Sequence, residues 1–415
     1  MTRRDRGRGH VVHDRADGGA GAAGRGQGLL TGVRVVDLSR VLAGPFAAQV
    51  LAEMGADVIK VEHPSGDPAR GIGPYVDGRS LYFSALNTGK RGVVLDLADT
   101  SGRAALDALL ATADIVVENF RPDAARGLGC DPGTLHQAHP NLTVVTVSGY
   151  ARDSERASSP ALDLTVQAES GIMSVTGEPG RPPVRAGVPV GDLAAGLWGA
   201  LGATAGYAAR LRDGRGRHVE VPLLDAAMTL LSYVATAAAA TGDEPAQVGS
   251  GHHSVVPYGA YPTADGWITV AVIGDKFWPL LCRALDLDSL ASREDLRSNE
   301  QRAAARQQVD EAVARQLATL TNDEALSRLQ AVGVPSAPVN TVLAALDAPY
   351  VRDRGLVADV AMGGASYRVV QGSLRAGGPP RPAPELGEHT GEVMTEVLGE
   401  GSALLADLLV RTCRR

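Results

Sequence analysis

The chain has 415 residues, 44% of them hydrophobic, and a formal net charge of −7 at pH 7. This length allows two domains with a substantial core, and the acidic charge balance argues against a nucleic-acid partner. No apolar run reaches the roughly 20 residues that a membrane-spanning helix needs, so a membrane is not expected as a partner. Three widely spaced cysteines form neither a disulfide framework nor a metal-ligand pattern, so we predict a cytoplasmic protein without a metal.

Residues 1–27 differ from the rest of the chain. They are rich in Arg, Gly, Asp and His, and almost nothing apolar follows Val12. The glycine-rich string at 19–26 follows no strand and precedes no helix, so it lacks the context of a dinucleotide-binding loop. We predict a disordered N-terminal extension.

From residue 33 onward, short β-branched runs alternate with helical stretches. Predicted strands cover 33–38, 57–62, 92–97, 115–119, 142–148 and 219–222. Predicted helices cover 45–54, 102–112, 123–128, 133–138, 162–173, 192–211 and 223–240. This alternation predicts an α/β fold with a parallel sheet, which binds ligands at the carboxyl ends of its strands.

The pattern changes near residue 250. A hairpin is predicted within 261–272, turning at 264–266, followed by helices at 275–286, 299–319, 323–331 and 340–347. We therefore predict a large domain that begins at 28–249, a small domain at 250–350, and a return to the large domain at 351–415. Helices at 389–398 and 401–411 are expected to close the chain.

Asp192 is the most informative single residue. It stands alone between a Gly/Pro-rich loop and a long helix of Ala, Gly and Leu. Asp is a favoured N-cap, and a carboxylate is stabilised at a helix start. The same position keeps a carboxylate ionised and accessible for nucleophilic attack. The two interpretations are compatible.

Further candidates follow predicted strands or helix starts. Asn119 and Phe120 either line a ligand groove or precede the helix that Pro122 begins. Tyr150 is a packed aromatic residue or a ligand contact, and Asp163 is a solvated or capping acid.

A loop near residue 250 has a different character. Adjacent His252 and His253 lack a suitably spaced third ligand, which argues against a metal site. Gly249 and Gly251 predict a mobile loop whose amides could cover a reacting carbonyl.

Seven segments, in this order, resemble the class III CoA-transferase (CaiB/BaiF) family from about residue 30 to 399. They are GVRVVDLSRVLAGPF (32–46), GADVIKVE (55–62), NTGKR (87–91), VENFRP (117–122), SGIMSVTG (170–177), GVPVGDLAAGL (187–197) and LGEHT (386–390). The resemblance implies a Rossmann-like large domain, a smaller α+β domain and an interlocked homodimer.

The resemblance also implies a chemistry. Asp192 matches the nucleophile that forms a mixed anhydride with an acyl-CoA and then an aspartyl-CoA thioester. Asp163 matches a supporting carboxylate, and Gly249 and Gly251 match a loop expected to stabilise oxyanions. Coenzyme A thioesters and free carboxylates are the expected substrates, with no separate cofactor.

The CoA site is expected to include nine residues. They are Leu42, Ala43, His63, Leu95, Asn119, Phe120, Arg121, Arg126 and Tyr150. The chain has His63 where the family often has Arg, and Gly127 where it often has a basic residue, so Arg121 and Arg126 are expected to take over phosphate contacts. Arg152, Arg156 and Arg185 could meet a dicarboxylate or lie on the solvated surface.

The alternative is an α-methylacyl-CoA racemase, which shares this fold, or another repurposed acyl-CoA enzyme that uses Asp192 as a base. The catalytic pair of the racemases is a His and an Asp, and their Asp matches Asp192. Their His falls at Leu162, which cannot exchange a proton. The sequence therefore favours a CoA-transferase.

Overall fold

The computed structural model describes residues 28–362 and 364–413, so the predicted extension at 1–27 lies outside the described residues. Its centre is a parallel sheet of β1 (Arg34–Asp37), β2 (Asp57–Glu62), β3 (Arg91–Val94), β4 (Ile115–Glu118), β5 (Thr143–Ser148) and β6 (His218–Pro222). The spatial order β3-β2-β1-β4-β5-β6 is that of a Rossmann fold. The predicted parallel α/β sheet is confirmed.

The strand order reverses between β1 and β4, which pair directly. Connections leave these two strands toward opposite sides, and this opens a crevice at their carboxyl ends. The residues that follow Asp37 and Glu118 therefore flank the expected ligand position.

Helices cover both faces of the sheet. One face carries Ala43–Glu53, Asp163–Glu169, Ile172–Val175, Val190–Asp213 and Leu223–Leu230. The other carries Thr100–Leu110, Pro122–Leu128, Pro132–Ala138, Thr390–Leu398 and Ala403–Cys413. A further short helix, Leu81–Asn87, precedes β3.

Glycines let the long helix Val190–Asp213 approach its neighbours closely. A Cβ at Gly196 would lie 2.7 Å from Cδ1 of Phe46 and 2.9 Å from the carbonyl oxygen of Ala43. One at Gly202 would lie 2.4 Å from Cγ1 of Val219 on β6. A side chain at either position would push the helix away from its neighbours.

The smaller part of the molecule has its own core. Strands Tyr258–Pro262, Trp267–Ala271 and Ser336–Pro338 form an antiparallel sheet. Its helices are Phe277–Ala284, Asp288–Ala291, Asn299–Ala304, Arg306–Leu317 and Asn322–Ala331. The predicted hairpin turn is confirmed, since the Thr263 amide donates to the Gly266 carbonyl at 2.9 Å.

The segment after the small sheet leads back to the main one. Helices Val342–Leu346 and Pro349–Asp353 precede a hairpin of Val357–Met362 and Ala365–Val370. The edge strand β3 is then covered, because the His389 amide donates to the Gly92 carbonyl at 2.8 Å and the Val94 amide donates to Thr390 Oγ1 at 3.0 Å. Covering an edge strand removes a site for unwanted pairing.

Three predicted helices were wrong in extent because each is interrupted. The helix at 162–173 breaks at Gly171, whose φ of +88° is left-handed. The helix at 223–240 bends by 79° before Ser232, with φ of 43°. The helix at 299–319 divides at Ala305.

Among residues 28–362 and 364–413, no single helix has the length and apolar character to cross a membrane, although the bent pair Leu223–Leu230 and Ser232–Thr241 meets both criteria when taken together.

Candidate active site

The turn after β1 is held by side chains from neighbouring elements. Asn119, which follows β4, donates through Nδ2 to the Arg40 carbonyl and accepts the Arg40 amide at Oδ1, both at 2.8 Å. The Val41 amide donates to Asp67 Oδ1 at 3.1 Å, and Val41 has a left-handed φ of 69°. This backbone is therefore fixed directly at the crevice.

A buried ionic network lies beneath this turn. Lys90 Nζ contacts Asp37 Oδ2 at 2.8 Å, and Lys60 Nζ contacts Asp67 Oδ2 at 2.9 Å and the Ser39 carbonyl. Burial lowers the pKa of Lys90 to about 8 despite its ion pair. Burial alone would raise the pKa of Asp37, but Lys60 and Lys90 hold it below its usual value. Sequence analysis missed this network.

Several predicted CoA-site residues surround this turn. Leu42 and Ala43 are buried where the helix Ala43–Glu53 begins. Phe120 is buried two residues after the end of β4. The exposed Arg40 places its guanidinium carbon 5.2 Å from the Phe120 ring centroid. Arg40 is a cationic residue at the crevice that sequence analysis did not select.

Other predicted CoA-site residues differ in accessibility. His63 is exposed after β2, and its Nδ1 accepts the Ser65 amide at 3.1 Å. Arg121 and Arg126 are exposed around the helix Pro122–Leu128, where Arg126 pairs with Asp123. Leu95 is only 1% exposed, and its amide donates to the Glu62 carbonyl at 2.9 Å, so a CoA contact at Leu95 stays a prediction.

Tyr150 is packed rather than open. Its hydroxyl donates to Glu169 Oε2 at 3.0 Å and accepts a bond from Arg156 Nη2 at 2.6 Å. Arg156 also pairs with Glu169, so both are engaged. The packed-aromatic interpretation fits these contacts.

The other two candidate arginines are also bonded. Arg152 Nη2 contacts the buried Glu118 Oε1 at 2.7 Å. The exposed Arg185 donates to the Ala186 carbonyl at 3.1 Å. Arg152 is thus part of the structure beneath β4.

Asp192 occupies the first turn of the helix Val190–Asp213 and is half-buried. The helix-cap interpretation is wrong, because Pro189 is the N-cap and no side chain of the helix caps it. The capping acceptor is Asp163 Oδ1, which accepts the Gly191 amide at 2.9 Å and the Asp192 amide at 3.4 Å. Asp192 therefore has a carboxylate that the helix end does not use.

Gln167 supports Asp163 from behind. It is completely buried; its Nε2 donates to Asp163 Oδ2 at 2.6 Å, and its Oε1 accepts the Ala186 amide at 2.8 Å. Sequence analysis missed Gln167, although its i, i+4 spacing from Asp163 places both on one helix face.

The pKa of Asp192 is strongly shifted. Burial, and secondarily the negative charge of Asp163, raises the pKa of Asp192 to about 7. Burial and the charges of Asp192, Asp67 and Asp163 raise the pKa of Tyr82. The half-buried Tyr82, also missed by sequence analysis, thus lies within the electrostatic influence of both Asp192 and the turn after β1.

Helix packing links Asp192 to the crevice. Gly196, four residues later, lies on the same helix face and meets Ala43, where the crevice helix begins. Asp192 is one turn nearer the start of its own helix. A carboxylate that titrates near neutrality beside a ligand crevice can serve as a nucleophile or as a base.

Both amides of the predicted glycine loop are hydrogen-bonded to backbone carbonyls. The Gly249 amide donates to the Gly177 carbonyl at 2.9 Å, and the Gly251 amide donates to the Val248 carbonyl at 2.8 Å. The His252 ring stacks on Tyr233 with centroids 5.6 Å apart. An oxyanion role for Gly249 and Gly251 stays a prediction, and it requires these two amides to exchange partners.

No cluster of three or more His, Cys, Asp or Glu side chains suited to a metal occurs in the described parts of the chain. The donor set around Asp192 consists of acids, amides and a phenol.

The Rossmann strand order defines an α/β protein with a ligand crevice, and the helix that carries Asp192 packs against the helix that begins at this crevice. The chain belongs to the CoA-transferase family III, whose model matches residues 30–390. It is 35% identical over 381 residues to a succinate–glutarate CoA-transferase of Agrobacterium fabrum, which covers 89% of this chain and 95% of that protein.

Two further similarities agree with this assignment. The chain is 34% identical over 395 residues to a succinyl-CoA:mesaconate CoA-transferase of Haloarcula hispanica, covering 90% of this chain and 98% of that one. The crystal structure of a CaiB/BaiF family protein from Brucella suis matches with a TM-score of 0.80 and 31% identity, over 89% of this chain and all of that one. The fold class and the CoA-transferase assignment are confirmed.

Proposed function

We propose that this chain moves CoA from an acyl-CoA to a free carboxylate through covalent intermediates on Asp192. The observation that carries the proposal is the environment of that carboxylate. Asp192 is half-buried, its helix is capped by Asp163 instead, and its pKa of about 7 leaves it ionised at slightly alkaline pH. An ionised, partly desolvated carboxylate is a suitable nucleophile.

The first half of the reaction loads CoA onto the enzyme. An Asp192 carboxylate oxygen attacks the thioester carbonyl carbon, the C–S bond breaks, and CoA thiolate leaves a mixed anhydride. The thiolate then attacks Cγ of Asp192, the donor acid departs as a carboxylate, and an aspartyl-CoA thioester remains. No net proton is taken up or released.

The second half reverses these steps with a new acid. The acceptor carboxylate attacks Cγ of Asp192 and expels CoA thiolate, which gives a second anhydride. The thiolate attacks the acceptor carbonyl and releases the Asp192 carboxylate. One thioester replaces another, so covalent catalysis divides a difficult exchange into easier displacements.

We propose dicarboxylic acids as the acyl groups. The relatives from Agrobacterium fabrum and Haloarcula hispanica are named for succinate, glutarate and mesaconate, which are all dicarboxylates. A distal carboxylate requires a cationic partner, and Arg185 is an exposed candidate whose guanidinium donates to the backbone carbonyl of Ala186. Arg152 is unsuited because Glu118 already occupies it.

CoA is proposed to bind at the crevice between β1 and β4. The fixed turn at Arg40 and Val41 provides a rigid wall, and the exposed Arg40, Arg121 and Arg126 offer charges for phosphate groups. The buried network beneath the turn keeps that wall in place without contacting a ligand.

A homodimer is part of the proposal. The helix Ser232–Thr241 has no buried residue although it is mostly apolar, and its Tyr233 is 53% exposed. On the helix Val190–Asp213, Leu197 and Leu201 are 55% and 57% exposed. An apolar surface of this kind is typical of a subunit interface. Sedimentation equilibrium that gave a monomer at micromolar concentration would contradict this part.

Hydroxylamine trapping tests the mechanism. The enzyme is incubated with succinyl-CoA and hydroxylamine, and the peptide spanning 186–210 is analysed by mass spectrometry. A hydroxamate on Asp192 that requires succinyl-CoA and is missing from the Asp192→Asn variant is the expected result. If CoA binds but no acyl-CoA gives an adduct, the covalent mechanism fails and Asp192 becomes a proton-transfer base, as in the racemase alternative.

A further inference from the structure

Gln167 connects three parts of the backbone around Asp192. It lies on the helix Asp163–Glu169, is completely buried, and makes one bond with each end of its amide. Its Nε2 bonds Asp163 Oδ2, and its Oε1 bonds the amide of Ala186. Asp163 in turn bonds the amides of Gly191 and Asp192.

The chain of bonds fixes the segment that leads into Asp192 at both ends. Ala186 begins the Gly/Pro-rich approach, and Gly191 ends it. The approach itself, at 187–189, is exposed or half-exposed and has little packing of its own. The bonds to Asp163 and Gln167 therefore determine where the first turn of the helix begins.

Each of these hydrogen bonds has a defined donor and acceptor. Asp163 Oδ1 accepts two backbone amides, and its Oδ2 accepts a hydrogen bond from the NH2 end of Gln167. The Ala186 amide requires an acceptor, which the other end of Gln167 supplies. A glutamine, or a protonated glutamic acid, satisfies both requirements at once.

We propose that Gln167 is a positioning residue for Asp192, acting through Asp163. This inference rests on the proposed function, because it assigns Gln167 a part in the attack by the Asp192 carboxylate. Gln167 does not touch the reacting atoms; it holds the Asp163 carboxylate where it caps the helix and faces Asp192.

The variants Gln167→Leu and Gln167→Glu distinguish positioning from bulk packing. Leucine fills similar space but leaves both Asp163 Oδ2 and the Ala186 amide without partners, so we expect the rate of hydroxamate formation to fall about 10–100-fold at every pH. Glutamic acid replaces glutamine only while protonated. Two carboxyl groups in direct contact share one proton until the pH rises and the second ionises.

The pH profile is the decisive readout. The wild-type rate is expected to rise through pH 7 and then remain level, as Asp192 ionises. The Gln167→Glu rate is expected to approach the wild-type rate at low pH and to fall again at high pH, giving a bell-shaped profile. Equal losses in both variants at all pH values, or less than a twofold loss in both, would overturn the proposal.

Two controls complete the experiment. Gln49→Leu removes another buried glutamine, which contacts Glu53 and not Asp163, and is expected to leave rate and profile unchanged. A carbon-13 NMR titration of the Asp192 carboxyl, assigned with Asp192→Asn, needs no acyl transfer. If Gln167→Glu changes the Asp192 titration but the wild type forms no hydroxamate, the positioning role is retained and the proposed function is rejected. If the wild type forms the hydroxamate but Gln167→Glu changes neither the titration nor the pH profile, the proposed function is retained and the positioning role is rejected.

Discussion

The Asp163 carboxylate caps the helix that carries Asp192, with Oδ1 2.9 Å from the Gly191 amide and 3.4 Å from the Asp192 amide. One acid thus performs the structural task at the helix end, and the other keeps its carboxylate available. The negative charge of Asp163 also opposes ionisation of Asp192, in addition to burial. Two acids of the same type acquire separate roles through position alone.

The first prediction concerns stability and pH. The pKa of Asp192 is raised from 3.8 to about 7, so the folded protein disfavours the ionised form. That cost is absent well below pH 3.8, grows as pH rises between 3.8 and 7, and is complete above 7. Asp192→Asn should increase the free energy of unfolding by roughly 1–3 kcal/mol at pH 8 and by less at pH 5.

Urea denaturation at the two pH values measures this difference. Asp225→Asn provides a matched control, because Asp225 is an exposed acid on the helix Leu223–Leu230. A stabilisation by Asp192→Asn that is equal at pH 5 and pH 8 would contradict the raised pKa.

The second prediction concerns the charge of Asp163. Asparagine at this position retains an oxygen that can accept the Gly191 amide and removes the negative charge beside Asp192, while its NH2 group replaces the oxygen that accepts from Gln167. We expect Asp163→Asn to lower the midpoint of the pH–rate profile for hydroxamate formation below that of the wild type. Asp163→Ala removes the cap as well and should cost about 1 kcal/mol of stability. A midpoint unchanged in Asp163→Asn would show that burial alone raises the pKa of Asp192.

How far the sequence predicts the fold is clear from the main sheet. The strand Asp57–Glu62 forms with the bounds expected from its β-branched residues, and the α/β alternation is correct. The interruption before Ser232 was not predicted, because an apolar, alanine-rich stretch gives no sign of a left-handed residue. Helix periodicity indicates where a helix can form, whereas tertiary packing decides where it bends.

Some residues of the site could likewise be predicted from the sequence and others could not. Asp192 and Asp163 could be selected because they are acids at helix starts, and Asn119 because it follows a strand at the edge where α/β folds bind ligands. Lys60 could not be selected, because a lysine in a strand normally indicates a solvent-facing position and its partner Asp67 lies in a later loop. The role of Gln167 could not be predicted either, because it depends on the Ala186 amide, which only the folded chain brings close.

The third prediction tests the close approach of two helices. Gly196→Ala places a methyl group 2.7 Å from Phe46 and 2.9 Å from the Ala43 carbonyl, so one helix must move. We expect a loss of about 1–3 kcal/mol in the free energy of unfolding, despite the better helix propensity of alanine. Gly127→Ala is the matched control, since a Cβ at this position meets nothing within 4 Å. This variant should gain up to about 1 kcal/mol in the free energy of unfolding. Similar effects in both variants would contradict the packing.

The fourth prediction concerns the CoA phosphates and returns to Gly127. This glycine is exposed, lies next to Arg126 on the helix Pro122–Leu128, and occupies the position at which the family often has a basic residue. Gly127→Arg should therefore add an attractive charge without steric cost. We expect the Kd for CoA to fall about 3–10-fold at low salt, in keeping with roughly 1 kcal/mol for an exposed charge pair.

Isothermal titration calorimetry with CoA measures the effect at low salt and at 1 M salt. Screening shortens the Debye length to about 3 Å at 1 M, so most of the gain should disappear there. Gly127→Glu has a comparable size and the opposite charge, and it should weaken binding where arginine strengthens it. Equal affinities for the arginine and glutamate variants at low salt would remove the helix Pro122–Leu128 from the phosphate site and leave Arg40 and Arg121 as the cationic candidates at the crevice.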